Sequence, residues 1–499
     1  MTHEDDSPAH GPHPVALLVR HGYVITMDDA GRIFEDGAIA IDGSRIVAVG
    51  DDADIARRYT AERAIDAGGA PVHPGFIECH MHASFQSFRG ALPDQLVEAD
   101  AFDSFESRFF NAVNDEEEYL AVLLASIEMI RNGTTCFMEA GTVLEPDAAA
   151  RAAGAVGIRA LISDAFIWDQ PQGMAQGMLE SHGSGCAACD APARSRTPIA
   201  RAPQSPAEAL ARMGGELRRN ADPEALVTGH VAILGLGTAS EALMLAAKER
   251  ADAAGVVLNF HQSYSPADTE ADRRRFGKDP VLHLAEIGCL GRNVTFGHAN
   301  HLTDAECDAI VAHGPSIAWA PAASMMWGHG GCFEGRHAEL HRRGANIALG
   351  SDSANWSNDF DLWRQASLAV MTAREAHHDR TYLVAEDGLH MATRAGARAV
   401  GMADRLGSIE AGKRADLVIH TLKRPELIPT TNMIRNLFYS SRSKSVDTVI
   451  VNGKVVLDRG VFPHLDEAAL LAEVNAASRA LLSRMGVTIE PNRVARPAG

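Results

Sequence analysis

From residue 73 to residue 406 the chain repeats one order: an apolar run of strand length, a polar loop, then an amphipathic segment of helix length. Strand candidates fall at 75–82, 134–140, 159–166, 225–234, 256–263, 294–300, 316–321 and 346–353. Eight strands alternating with helices is the count of a (β/α)8 TIM barrel, and that α/β class is the fold the spacing predicts. A doubly wound open sheet would give similar alternation, because closure leaves no mark on a sequence. Helix ends fit the pattern: Ser205-Pro206 with Glu208 and Thr303 with Glu306 have the form of capping boxes, and Gly344 stops the helix before the eighth run.

The flanks have a different texture. Residues 16–50 read as short β-branched runs separated by Asp-Asp, Glu-Asp-Gly and Asp-Gly turns. "LGSIEAGKRADLVIHTL" and "VDTVIVNGKVVLDRG" repeat that texture near the other end, with Asn452-Gly453 a strong hairpin signal. The expected organisation is a tail at 1–14, a discontinuous small β-sandwich built from both chain ends (15–72 and 407–460), a catalytic barrel at 73–406, and a C-terminal helix and tail at 461–499. Within the barrel, 171–205 has no periodicity and reads as a long loop over the mouth, either a lid or a disordered insertion.

A formal net charge of −19 argues against a nucleic-acid surface and for a small-molecule partner. The acidic, polar start lacks the order of an export signal, and no run is long and apolar enough to span a bilayer, so a cytoplasmic location is expected. Seven cysteines, an odd number set mostly in apolar segments, read as reduced core thiols. Cys186-x-x-Cys189 has metal or redox spacing but stands without a second pair, and reads as incidental.

On a barrel the active site lies at the C-terminal ends of the strands. The first run ends "FIECHMH", so alternation sends His80 and His82 to one face, the geometry of a metal clamp. The fifth ends "NFHQS" with His261, the sixth "FGHAN" with His298, and the eighth "LGSDSANW" with Asp352. One histidine at a strand end is usually a satisfied core residue; four strand ends each carrying a metal-competent side chain are hard to read as packing. Imidazoles and a carboxylate suit one divalent ion, zinc first and iron or cobalt after it, with a position left for water.

The ordered set "HPGFIECHMH", "NFHQS", "FGHANHLTDAE" and "LGSDSANWSNDFD" resembles the metal-dependent amidohydrolase superfamily, specifically its triazine-hydrolase and cytosine/guanine-deaminase-like branch. The two β-rich flanks and Arg89-Gly90 fit as well, so the resemblance covers nearly the whole chain outside 171–205 and the tails. It implies that His80, His82, His261 and Asp352 hold the metal, and that His298 polarises the substrate beside it. Binuclear members carry a bridging lysine at the end of strand four; "EALVTGHVAIL" has none, which implies a mononuclear site. Relatives of this kind are commonly homodimers or larger, and a homo-oligomer is expected.

Two departures shape the functional expectation. Where many members of the branch have a relay glutamate three residues after the strand-five histidine, this chain has Tyr264, whose phenol is a poor base at neutral pH. Where the branch shows Pro-x-Ser-Asn, this chain reads "APAASMMWGHGG", placing Met325, Met326 and Trp327 near the mouth, with Trp356 following strand eight. Gln86, Met325, Trp327 and Trp356 are the expected substrate contacts, and Asp352, His298 and Tyr264 the expected catalytic groups. The apolar rim and absent glutamate favour hydrolysis of an open-chain amide, urea or (thio)carbamate, closest to the phenylurea and thiocarbamate hydrolases, although some of those have asparagine at the position of His80. The alternatives are an aminohydrolase or dehalogenase acting on a purine, pyrimidine or triazine ring, and an inactive scaffold.

Overall fold

The computed structural model describes residues 12–92, 105–171 and 198–487. The extreme N-terminus, Cys186, Cys189 and most of the 171–205 loop fall outside the described residues.

The chain begins with β1 (His13–Ile25), β2 (Ile33–Asp42), β3 (Arg45–Asp51), β4 (Tyr59–Asp66) and β5 (Pro71–Pro74). The barrel follows: β6 (Phe76–His82), β7 (Thr134–Glu139), β8 (Arg159–Ile162), β9 (Val227–Gly229), β10 (Val231–Gly235), β11 (Leu258–Gln262), β12 (Val294–His298), β13 (Ser316–Trp319), β14 (Asn346–Leu349) and β15 (Asp352–Ser353). The chain then supplies β16 (Leu417–His420), β17 (Val446–Val451) and β18 (Lys454–Leu457).

All barrel pairings are parallel, in two runs: β15-β6-β7-β8-β9 and β10-β11-β12-β13-β14. The runs are joined by the chain itself, because the fourth and eighth strands are each broken in two, at His230 and at Gly350-Ser351. β6 pairs with both β7 and β15, so the sheet closes into a barrel and the doubly wound alternative is excluded. The sequence runs 225–234 and 346–353 therefore each hold two short strands, and the third strand stops at Ile162.

Both chain ends build one mixed sheet, ordered β18-β17-β16-β5-β1-β2-β3, with β4 also on β1. Asn452 and Gly453 both take positive φ, 53° and 76°, the backbone that a two-residue hairpin between β17 and β18 requires. The sheet is tied to the barrel by a buried ion pair. Arg159 of β8 donates to Asp416 from Nε at 3.1 Å and from the guanidinium at 3.2 Å, and also reaches Asn452. Loss of one partner of a buried pair leaves an uncompensated charge, at a cost of about 3–5 kcal/mol.

The helix starts follow their side chains. Thr303 and Glu306 cap each other reciprocally, and Ser205 Oγ accepts the Glu208 amide. The terminal helix Glu467–Arg484 buries Val474 and Leu481 and packs on the helix Asp115–Arg131, pinned by Arg131 to Glu467 and by Arg484 to Glu117. Cys79, Cys136, Cys289, Cys307 and Cys332 are all buried and free, as expected of reduced core thiols. No helix among the described residues is long and apolar enough to cross a membrane.

Candidate metal centre and active site

β6, β11, β12 and β15 bring their terminal side chains to one point inside the barrel rim. The rings of His80, His82, His261 and His298 pack with centroids 4.6–5.5 Å apart. Asp352 lies 3.5 Å from His82 Nε2 and 3.8 Å from His298 Nε2. Two overlapping trios, His80–His261–His298 and His80–His82–Asp352, each have ligand atoms within 4.8 Å of one another.

Glycines create the space. A Cβ on Gly297 would lie 2.6 Å from the His80 ring, and one on Gly350 would lie 2.7 Å from His80 Cβ and 2.9 Å from its carbonyl oxygen. Strands six and eight can flank His80 this closely only with glycine at those positions.

Burial, reinforced by the neighbouring imidazoles, holds His80, His82 and His298 well below the ordinary histidine range, and burial holds His261 at about 4. All four rings are therefore neutral at physiological pH, with lone pairs available. Two observations show that a cation fits among them. Neither ring nitrogen of buried His80 has a hydrogen-bond partner. His261 donates from Nδ1 to the Leu234 carbonyl, so its Nε2 carries a lone pair; it lies 3.1 Å from Nε2 of His82, and where His82 donates from Nδ1 to Thr142 Oγ1, 2.9 Å away, the two Nε2 lone pairs face each other. Two facing lone pairs repel; a divalent ion between them turns that repulsion into coordination. His80, His82, His261 and Asp352 are the residues that would hold it. A further trio on the outer sheet, His21, Asp36 and Asp52, is already engaged, since Arg20 Nε donates to Asp52 at 2.9 Å.

Two buried carboxylates lie beneath the cluster. Glu78 accepts the His80 amide at 3.1 Å and the Ser351 amide at 2.9 Å, so it bridges strand one to the break in strand eight beside Asp352. Glu139, at the end of strand two, accepts from Thr142. Burial pushes both up to about 7. His298 and Asp352 adopt positive φ, 72° and 64°, a strained conformation of the kind that accumulates at functional sites.

Above the cluster opens a cleft of ≈ 770 Å³ including its mouth, lined by His82, His261, His298, Asp352 and an aromatic wall of Phe85, Phe110, Phe166 and Trp356. Tyr264 lines it too, its ring 6.1 Å from that of His298. Of the other expected contacts, Gln86 is turned away and donates to Glu128 at 2.7 Å. Trp327 packs against Trp356 with ring centroids 4.4 Å apart and planes tilted by 33°, outside the residues that line the cleft, and Met325 lies at the surface, 44% exposed. Sequence reading did not single out Glu106 or Asp268, which both line the cleft. Glu106 accepts from Trp356 Nε1 at 3.0 Å and from Asn355 at 3.1 Å. Neither residue sits at a strand end, so neither carried a positional signal.

A closed (β/α)8 barrel whose strand ends gather four neutral histidines and an aspartate defines a metal-dependent hydrolase. The chain belongs to the amidohydrolase family, whose model matches residues 72–456. It is 30% identical over 89% of its length to a 5-methylthioadenosine/S-adenosylhomocysteine deaminase from Syntrophobacter fumaroxidans, covering 93% of that protein. It is 29% identical over 94% of its length to a 5'-deoxyadenosine deaminase from Methanosarcina acetivorans, covering 99% of it. Among solved structures, an adenosine deaminase from Xanthomonas campestris with bound zinc superposes with TM-score 0.83 at 27% identity, covering 96% of this chain and all of that one. A zinc-complexed atrazine chlorohydrolase from Arthrobacter aurescens superposes with TM-score 0.79 over 93% of this chain and 100% of its own; at 23% identity it shows the common fold.

Proposed function

We propose that the protein is an aminohydrolase that replaces the exocyclic amino group of an aminopurine, carried as a nucleoside, with a hydroxyl and releases ammonia. The observation that carries this reading is the cleft itself: an aromatic slot for a flat ring, directly over the histidine–aspartate cluster, with the Glu106 carboxylate in its wall to accept from substrate hydroxyls. The deaminase relatives, matched along nearly their whole length, point to the same chemistry.

A divalent ion held by His80, His82, His261 and Asp352 would supply Lewis acidity and bring the pKa of water from about 16 towards neutrality. Asp352 takes the proton of the attacking water and delivers it to the departing nitrogen. His298, 3.8 Å from Asp352, is placed to hydrogen-bond the oxygen that forms at the reacting carbon. Tyr264 donates a hydrogen bond to the ring, and Phe85, Phe110 and Phe166 exclude bulk water.

Cleavage of an open-chain urea or carbamate is the second reading, and Tyr264 favours it: without a carboxylate at that position, a ring nitrogen is less easily protonated. Product analysis separates the two. Metal-loaded enzyme incubated with adenosine, 5'-deoxyadenosine, methylthioadenosine, N-aryl ureas and carbamates should release ammonia and a hypoxanthine nucleoside. Release of a substituted amine from the ureas, with the nucleosides untouched, would overturn the aminohydrolase.

A further inference from the structure

We propose that Thr142 and Glu139 form a positioning relay that fixes the tautomer and orientation of His82, and thereby sets the affinity of the site for its metal. The proposal rests on the reading of His82 as a metal ligand.

The hydrogen-bond directions follow from the donors available. Glu139 lies at the buried end of β7 and accepts the amide of Gly141 at 2.7 Å, the amide of Thr142 at 3.1 Å, and the hydroxyl of Thr142 at 2.7 Å. The three donors favour the ionised form of Glu139 over the neutral one that burial favours, and in that ionised form it is an acceptor in all three bonds. The single proton of the Thr142 hydroxyl is thus committed to Glu139, and its oxygen can only accept from His82 Nδ1, 2.9 Å away. His82 must carry its proton on Nδ1, which leaves the Nε2 lone pair directed at His261 Nε2 and Asp352. In the other tautomer, a proton on Nε2 would occupy the point where the ion binds, and Nδ1 would face the threonine oxygen with no hydrogen between them.

The other histidines are held differently, which makes His82 the one that depends on a side-chain chain of bonds. The Nδ1 of His261 is fixed by a main-chain carbonyl, that of Leu234. His80 has no such partner and is held by the close backbones at Gly297 and Gly350. The relay also sits on a rigid base. Glu139 ends a strand buried at every position, and its two amide bonds form a tight turn at Gly141, φ 82°. Outer-shell partners that orient a ligating histidine typically contribute 10–100-fold to metal affinity.

The test is zinc affinity, measured by competition with a chromophoric chelator on the full chain, for wild type and for Thr142→Val, Thr142→Ser, Glu139→Gln and His82→Ala. Thr142→Val keeps the shape and removes the hydroxyl; it should weaken zinc binding about 10–100-fold. Thr142→Ser restores the hydroxyl and should return affinity to within a few-fold of wild type. Glu139→Gln should fall between them, because its amide can replace only part of the acceptor capacity. Unfolding temperatures of the metal-free variants check that each is folded. Unchanged affinity in Thr142→Val, or equal losses in the valine and serine variants, would overturn the relay while leaving His82 as a ligand. Unchanged affinity in His82→Ala would overturn the ligand reading and the relay with it.

Discussion

His298 Nε2 and Asp352 Oδ2 stand 3.8 Å apart, brought together from the sixth and eighth strands of the barrel, each on a residue whose φ is positive, 72° and 64°. For side chains other than glycine this backbone costs about 1–3 kcal/mol each, held in place by the parallel pairing of β12 and β15 with their neighbours. In the proposed mechanism this proximity sets a group that takes a proton from water beside one that donates to the reacting centre.

The two residues should separate cleanly on mutation. Asp352→Ala should abolish turnover and lower zinc content, because it removes ligand and proton acceptor together. His298→Gln should keep zinc near one per chain and lower kcat by about 100-fold, the usual range for one acid–base or polarising group. Steady-state kinetics paired with metal analysis checks both; undiminished kcat in the Asp352 variant would sink the assigned mechanism.

Gly297→Ala tests the space around His80. Its Cβ would meet the imidazole at 2.6 Å, closer than carbon atoms tolerate, so the ring must move out of the cluster. Zinc affinity should fall by at least tenfold, read by equilibrium dialysis, while far-ultraviolet circular dichroism stays that of a folded barrel. Wild-type affinity in this variant would mean that His80 has another route to the site.

Tyr264→Phe removes a hydrogen-bond donor from the cleft and leaves its aromatic wall. The expected loss in kcat/KM on a deaminated nucleoside is about tenfold, in line with one neutral hydrogen bond of about 1–1.5 kcal/mol. A loss of a thousandfold would make the phenol an essential proton donor.

Asp361 gives a pH prediction away from the metal. Burial, and then repulsion from Asp359, push its carboxyl from the ordinary aspartate value up to about 6 in the folded protein. A pKa raised on folding means that the protonated form suits the native state, so the contribution is fully present below the unfolded pKa and is lost as pH rises through 6. Asp361→Asn keeps the helix cap, whose oxygen accepts the Trp363 amide at 2.9 Å, without the charge. Relative to wild type, the variant's melting temperature should therefore improve steadily between pH 4 and pH 7. A gap independent of pH would contradict the assignment.

The barrel was legible because its strands announce themselves twice, by apolar runs and by the histidines and aspartate at their ends. Closure was not, since it rests on the pairing of β6 with β15, a contact between the first and last barrel strands that leaves no mark on either run. His80, His82, His261, His298 and Asp352 could be placed because strand alternation fixes where a terminal side chain points. Glu106 and Asp268 could not, because a residue at the start of a helix has no periodicity tying it to the cleft. Gln86 shows the reverse: on the short helix Ala83–Phe88 that directly follows the clamp it looks well placed, but Glu128 and Arg89 draw it away from the cleft. Glu128, remote in sequence, took part in that outcome. The preference for an open-chain substrate rested on the absent relay glutamate, where Tyr264 stands, and on an apolar rim of Met325, Met326, Trp327 and Trp356; Tyr264 does line the cleft, but of the rim residues only Trp356 does.

The central claim is that one divalent ion sits among His80, His82, His261 and Asp352. A crystal of zinc-loaded protein, measured on either side of the zinc absorption edge, tests it directly. The expected result is a single anomalous peak within coordination distance of those four side chains, with His298 adjacent and unbound. Two peaks bridged within the barrel, or zinc at His21, Asp36 and Asp52 with none among the histidines, would contradict the account.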